Sequence, residues 1–346
     1  MTAEFGERSY RWGKRAGVIG AGSWGTALSL VLARLGYEVT LWAWEPELAE
    51  RMGRERVNDV YLPGFKLEPA VTPVTELAAA AQALVVVAVP SHALRAVLGR
   101  LQPALPPASE IILATKGLEE GTCQRVSEVA TEVLGAGLSS GIASRLATLS
   151  GPSFAREVAA GDPTAVVIAS ASQVLAGSLQ KRLSSPQLRL YTSSDVVGVE
   201  LAASLKNVIA IAAGICQGLG LGSNAQAALI ARGLAEMSRL ALAMGGQAET
   251  LAGLAGLGDL VLTCTGALSR NRALGIALGE GRTLAEAQAS TPMVAEGVRT
   301  TAAAVHLAAR WGVEMPILAQ MHRVLFEHAP PRQAVGDLMN RTPRAE

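Results

Sequence analysis

The chain has 346 residues, half of them hydrophobic and 17% charged. That is enough apolar surface for large cores, which excludes a disordered protein, and at roughly 150 residues per domain it predicts two domains. Lys plus Arg is 30 and Asp plus Glu is 29, a formal net charge of +1. The global basic excess of a nucleic-acid binder is missing, although a local cationic pocket for a small anion is not excluded.

Residues 1–15 are polar and charged and lack the apolar core of a signal peptide. Residues 16–19 read as a short strand that runs into Gly20-Ala21-Gly22-Ser23-Trp24-Gly25. A helix over 26–35 follows, closed by Gly36, and then a strand over 38–42. This is a β-α-β unit. Further strands are expected at 84–89, 111–115, 147–150 and 164–169, with helical stretches between most of them. Strand alternating with helix implies an α/β fold with a doubly wound, mostly parallel sheet covered on both faces.

After about Tyr191 the β-branched runs stop and Ala/Leu-rich segments take over at 199–214, 225–244, 284–289, 298–310 and 317–326. Strong helix formers at helical spacing predict an all-α second domain. The expected division is 1–191, with 1–15 as an extension, and 192–346. Residues 208–221 are interrupted by Gly214, Gln217, Gly218 and Gly220, so no run of about 20 apolar residues predicts a membrane span. Cys123, Cys216 and Cys264 form no CxxC pair, which fits a reducing cytoplasm, and the four histidines show no zinc spacing, so no metal is expected.

The glycine turn lies between a strand and a helix, where dinucleotide chemistry needs it. Gly20 allows the tight turn, Gly22 lets backbone approach a pyrophosphate, and Gly25 lets the helix pack closely on the sheet. A nucleophile elbow does not fit, because Ala21 stands where its first glycine belongs. Glu45, twenty residues after Gly25, is placed for the adenosine 2′-hydroxyl and favours NAD. Trp44 is adjacent, and Arg51, Arg54 and Arg56 follow; an arginine there would accommodate a 2′-phosphate. NAD versus NADP stays open.

A second group of residues suits an anionic substrate. Lys116 sits just past a strand end, where ligands bind in such sheets. Lys206 lies inside the apolar run 199–214, where it either snorkels to the surface or faces a cleft and titrates as a proton donor. Asp259 sits in a similar setting and is expected to meet Lys206; the alternative is a helix cap. Ser269 can cap a helix whose Arg270 and Asn271 then hold a phosphate, though an ordinary capped surface helix would use the same residues. Gly151-Pro152-Ser153-Phe154-Ala155 reads as a turn at the same end of the sheet.

Taken together, GAGSWGTAL, VVVAVPSHALR, ATKGLE, SGPSFAREVAAG, ELAASLKNVIAIAAGI, LIARGLAEMSRL, GLAGLGDLVLTCTGALSRNRALG, VAEGVRTT and GVEMPI resemble the bacterial NAD(P)-dependent glycerol-3-phosphate dehydrogenases, from Gly20 to about Asp337. ATKGLE and the GLGDLVLTCT…SRNR run are far more specific than the glycine fingerprint. The resemblance implies a Rossmann domain followed by a helical domain of the 6-phosphogluconate dehydrogenase type. It implies interconversion of dihydroxyacetone phosphate and sn-glycerol 3-phosphate, a step that supplies glycerol phosphate for phospholipids. It also implies roles. Ser23, Trp24, Lys116, Ala155, Arg270, Val294 and Glu296 would contact the cofactor. Lys116, Gly151, Ser153, Asp259, Ser269, Arg270 and Asn271 would contact substrate, and Lys206 would be the proton acceptor. Many members carry a basic residue where this chain has Trp44, so a preference for NADP does not carry over. A dehydrogenase acting on 6-phosphogluconate or pantoate is the nearest rival, and a dinucleotide-binding sensor is the rival from another class. The apolar helices of the second domain offer a face for a homodimer.

Overall fold

The computed structural model describes residues 14–135, 141–289 and 295–342. Its strands are β1 (Arg15–Ile19), β2 (Glu38–Trp42), β3 (Val71–Val74), β4 (Leu84–Val87), β5 (Glu110–Leu113), β6 (Leu146–Ser150), β7 (Thr164–Ala169) and β8 (Leu188–Ser193). They form one sheet in the order β3-β2-β1-β4-β5-β6-β7-β8, parallel throughout except for β6 against β7. The side-chain period of two sorts β4 cleanly. Leu84 and Val86 join one core with residues of α1 (Ser23–Arg34), α2 (Pro46–Glu55), α5 (Ala155–Ala160) and α6 (Gln173–Leu183). Val85 and Val87 join the opposite core with α3 (Leu94–Leu101) and α4 (Val126–Gly135).

The six expected strands are present with small shifts at their ends, and two more lie at the sheet edges. β3 carries Pro73, and β8 alternates buried and exposed residues over its first four positions. An edge strand tolerates proline and needs only one apolar face, so neither shows the continuous apolar run of a central strand.

The helical domain is built on α7 (Val196–Gly218), with α8 (Ser223–Ala243), α9 (Ala248–Ala252), α10 (Asp259–Thr265), α11 (Arg270–Gly279), α12 (Leu284–Ala289), α13 (Glu296–Arg310), α14 (Pro316–Phe326) and α15 (Pro331–Met339). Asp195 caps α7, accepting from the Gly198 N–H at 2.8 Å. The helix continues through Gly214, where the expected helical segment ended, and closes at Gly218. Those glycines are a crossing point: a Cβ at Gly214 would sit 2.1 Å from the Arg272 carbonyl oxygen, and one at Gly275 would sit 2.0 Å from that of Ile211. Backbone therefore meets backbone, and the start of α11 is held directly against α7. By length and composition α7 could cross a membrane, but 89% of its most apolar window is buried inside the protein.

The same helix is tied to the sheet. The buried Glu200 carboxylate accepts from the Ser127 N–H (3.0 Å), Ser127 Oγ (2.7 Å), Thr148 Oγ1 (2.9 Å) and Arg125 Nη1 (2.9 Å). Four donors offset the cost of burying one charge.

Glu236 of α8 accepts from the Ile317 and Leu318 N–H groups at 2.7 and 3.3 Å and so caps α14. Burial pushes its pKa from 4.5 up to about 7. The folded state then holds a proton that the unfolded state has released, so stability falls as pH rises from about 4.5 to 7. Thermal melts of Glu236→Gln are expected to lose that slope; a slope equal to that of the parent protein would remove Glu236 as its source.

Candidate active site

Segments far apart in the chain line one cavity of about 910 Å³ between the sheet and the helical domain. The glycine turn leaves β1 at its carboxyl end. Gly20 has φ +109°, with the Ala88 carbonyl oxygen 2.7 Å from where a Cβ would lie. A Cβ at Gly25 would sit 1.8 Å from the Gly20 carbonyl oxygen, so α1 packs against the turn as only glycine allows. At Gly22 a Cβ would meet no atom within 4 Å, and the residue lines the open cavity. Gly22 caps α1 without any side-chain bond, which leaves the first N–H groups and the positive helix end to an anion. Trp24 lines the cavity, and its buried Nε1–H has no partner among the described residues. These residues fit a dinucleotide pyrophosphate.

Beyond β2, Trp44 and Glu45 line the same cavity, and Tyr61 Oη donates to Glu45 Oε1 at 2.7 Å. None of the three arginines expected near a 2′-phosphate lines the cavity. Arg51 bonds Asp59 at 3.0 Å, Arg54 bonds Glu55 at 2.9 Å, and Arg56 donates to the carbonyls of Glu68 and Val71.

Asp259 joins two lysines. Its Oδ1 is 2.5 Å from Lys206 Nζ and its Oδ2 is 3.1 Å from Lys116 Nζ. A single turn of π-helix, Leu254–Gly258, precedes Asp259 and sets the register of α10. Thr263 is one turn further along the same helix. It donates to the Asp259 carbonyl at 2.6 Å and accepts from Lys206 Nζ at 3.1 Å. Asp259 is 1% exposed and Lys206 5%, so the lysine does not snorkel and the aspartate faces the cleft rather than capping a helix.

Burial dominates the electrostatics of Lys206 and lowers its pKa from 10.5 to about 7; Asp259 opposes this, and the Lys116 ammonium acts with it. Burial raises the Asp259 pKa, but the two ammonium groups outweigh it and hold the carboxyl below its usual range. The cluster is therefore an ionised carboxylate shared by two amines, one of which titrates near neutrality. Nearby Cys264 is pushed by burial up to about 12, so its thiol is inert.

The helix start at α11 completes the floor. Ser269 accepts from the Arg272 N–H at 3.2 Å, which is the expected cap. Arg270 crosses the cleft and donates to Ser23 Oγ at 2.7 Å. Asn271 donates to Asn207 Oδ1 at 3.0 Å and accepts from the Gly297 N–H at 3.0 Å, leaving one amide N–H for a ligand. Ser153, Ala155 and Glu296 also line the cavity. Gly151 and Gly25 do not; they shape the turns beneath. Val294 lies outside the described residues.

Several lining residues escaped the sequence reading. Asn207, next to Lys206 in an apolar helix, and Thr263, four residues after Asp259, carried a signal in their spacing. The bond from Ser91 Oγ to Glu296 Oε2 at 2.9 Å carried none, because 205 residues separate them.

The sequence matches the family models described as the N-terminus (residues 15–176) and C-terminus (residues 195–336) of NAD-dependent glycerol-3-phosphate dehydrogenase. A glycerol-3-phosphate dehydrogenase (NAD(P)+) of Geobacter metallireducens is 53% identical over 336 residues, which covers 96% of this chain and 99% of that protein. The corresponding protein of Koribacter versatilis is 51% identical over 336 residues, covering 96% and 98%. The crystal structure of glycerol-3-phosphate dehydrogenase from Coxiella burnetii superposes with a TM-score of 0.89 at 44% identity, covering 95% of this chain and 99% of that one. A ketopantoate reductase from Ralstonia eutropha reaches only 0.59 at 16% identity and shares the fold alone. With both halves matched and relatives above half identity along nearly its whole length, the chain belongs to the NAD(P)-dependent glycerol-3-phosphate dehydrogenase family.

Proposed function

We propose that this chain interconverts dihydroxyacetone phosphate and sn-glycerol 3-phosphate, and so supplies glycerol phosphate for phospholipid synthesis. The observation that carries the reading is the Lys206–Asp259–Lys116 cluster in the same cavity as the glycine turn and the Ser269-Arg270-Asn271 helix start. The nicotinamide cofactor, when bound, supplies or accepts the hydride at C2. Lys206 Nζ gives its proton to the C2 oxygen as negative charge develops there, and in the reverse direction the neutral amine takes the hydroxyl proton. Lys116 adds positive charge beside that oxygen, and Asp259 holds both amines in place. Arg270 and the remaining N–H of Asn271 hold the phosphate, which is remote from C2 and fixes its position. Gly151 and Ser153 support the substrate side, and Trp24, Ala155, Val294 and Glu296 the cofactor side.

The two working units meet near residues 191–195, where β8 gives way to α7. Three buried free thiols suit a reducing cytoplasm. A second copy would dock on the helical domain, where Trp311 and Phe326 are exposed.

Absorbance of NADH and NADPH, followed with dihydroxyacetone phosphate as sole acceptor, tests the reaction. Oxidation of either is expected. Absence of both, in folded protein that binds dinucleotide, would reject the substrate.

A further inference from the structure

We propose that this chain selects the unphosphorylated dinucleotide, and that Glu45, locked by Tyr61, makes the selection. This rests on the preceding reading only in taking a nicotinamide dinucleotide as the cofactor.

The glycine turn begins at Gly20, directly after Ile19 of β1, and Ile19 is paired with Trp42 of β2. A ribose attached to a pyrophosphate in that turn therefore falls over the end of β2, where Glu45 lines the cavity. The Glu45 carboxylate is not free to swing away, because Tyr61 Oη donates to it at 2.7 Å. That bond also pushes the Tyr61 pKa up, so the phenol keeps its proton and the lock persists at neutral and mildly alkaline pH. A carboxylate so fixed accepts from a ribose 2′-hydroxyl and repels a 2′-phosphate.

Among the described residues, every cation near the β2 end is engaged with another group. Arg51, Arg54 and Arg56 are turned to Asp59, Glu55 and two backbone carbonyls. Among the lysines and arginines that line the cavity, Lys116 and Lys206 share Asp259, Arg270 holds Ser23, and Arg156 lies over the Phe65 ring at 5.6 Å. Arg100 alone sits beside the β2 end, and its guanidinium is stacked 5.5 Å from the Trp44 ring and 5.9 Å from the Trp42 ring. The two indoles meet edge to face at 6.1 Å. Trp44 is 67% exposed, a large cost for an indole unless a flat partner covers it. The Trp44–Arg100 pair is a platform for the adenine ring, which both forms of the cofactor carry.

Calorimetric titration of NADH and of NADPH, without any triose phosphate, tests the proposal in the parent protein and in Glu45→Gln, Tyr61→Phe and Arg100→Ala. The measurement is of binding, so its result stands whether or not dihydroxyacetone phosphate is the substrate. The parent protein is expected to bind NADH at least ~10-fold more tightly, the scale of one like-charge contact. Glu45→Gln is expected to close most of that gap by tightening NADPH, and Tyr61→Phe to close part of it by freeing the carboxylate. Arg100→Ala is expected to weaken both cofactors by the same factor. Equal or tighter binding of NADPH by the parent protein would overturn the proposal. So would an unchanged ratio in both Glu45→Gln and Tyr61→Phe. A loss in Arg100→Ala confined to NADPH would overturn it too, by assigning the 2′-phosphate to Arg100.

Discussion

Replacing Lys206 by methionine is expected to lower turnover by about 10²–10⁴-fold while leaving dinucleotide affinity nearly unchanged. Methionine retains the buried stem, and Asp259 keeps Lys116 as its partner at 3.1 Å, so no unpaired charge is left in the core. The parent protein should carry the signature of the same amine in its pH dependence. Burial brings Lys206 to about 7, so below that pH the amine is protonated and can donate. The kcat/KM for ketone reduction is therefore expected to be level at low pH and to fall as pH rises through about 7. Alcohol oxidation needs the neutral amine and is expected to rise through the same range. Steady-state profiles in both directions decide the matter. A loss of less than about tenfold in Lys206→Met, or profiles that run in the same direction, would refute the proton role.

The second large effect belongs to Asp259→Asn. The substitution removes the carboxylate shared by buried Lys206 and partly buried Lys116, so any proton Lys206 keeps faces the Lys116 ammonium with no anion between them. Breaking a buried pair in this way costs roughly 3–5 kcal/mol, so the melting temperature should fall. Asp259 is also the group that opposes the downward shift of Lys206. Without it, Lys206 should lose its proton at lower pH, and the fall in reduction should move below the parent's position. Thermal melts and a pH profile of the variant separate the two consequences. A merely structural role would lower the melting temperature and leave the profile where it was; that outcome would sink the claim that Asp259 tunes the lysine.

The legibility of the site tracked how local its chemistry is. Gly20, Gly22 and Gly25 lie within one turn, and their spacing alone foretold a tight bend, an open approach and a close helix contact. Lys206 was legible because a charge amid apolar residues demands a partner, and Asp259 because it makes the same demand. The third member, Lys116, was legible as a site residue, but its partner was not. Lys116 reads as a strand-end lysine, and nothing local says that it reaches an aspartate 143 residues away. The close helix crossing at Gly214 was not legible either, because only the neighbour lying across it makes a missing side chain favourable.

The alternation of strands and helices, the dinucleotide turn and the switch to an all-helical second half were all local, since each depends on residue spacing within a few turns of chain. Tertiary structure decided which further charges meet and which are spent. It gave Asp259 a second amine, Lys116, and brought Lys206 down to about 7. It also turned three arginines near β2 away from the cavity while holding Glu45 in it. The physical reason is that protonation and specificity depend on distance and burial, and both are set between segments that the chain brings together only on folding.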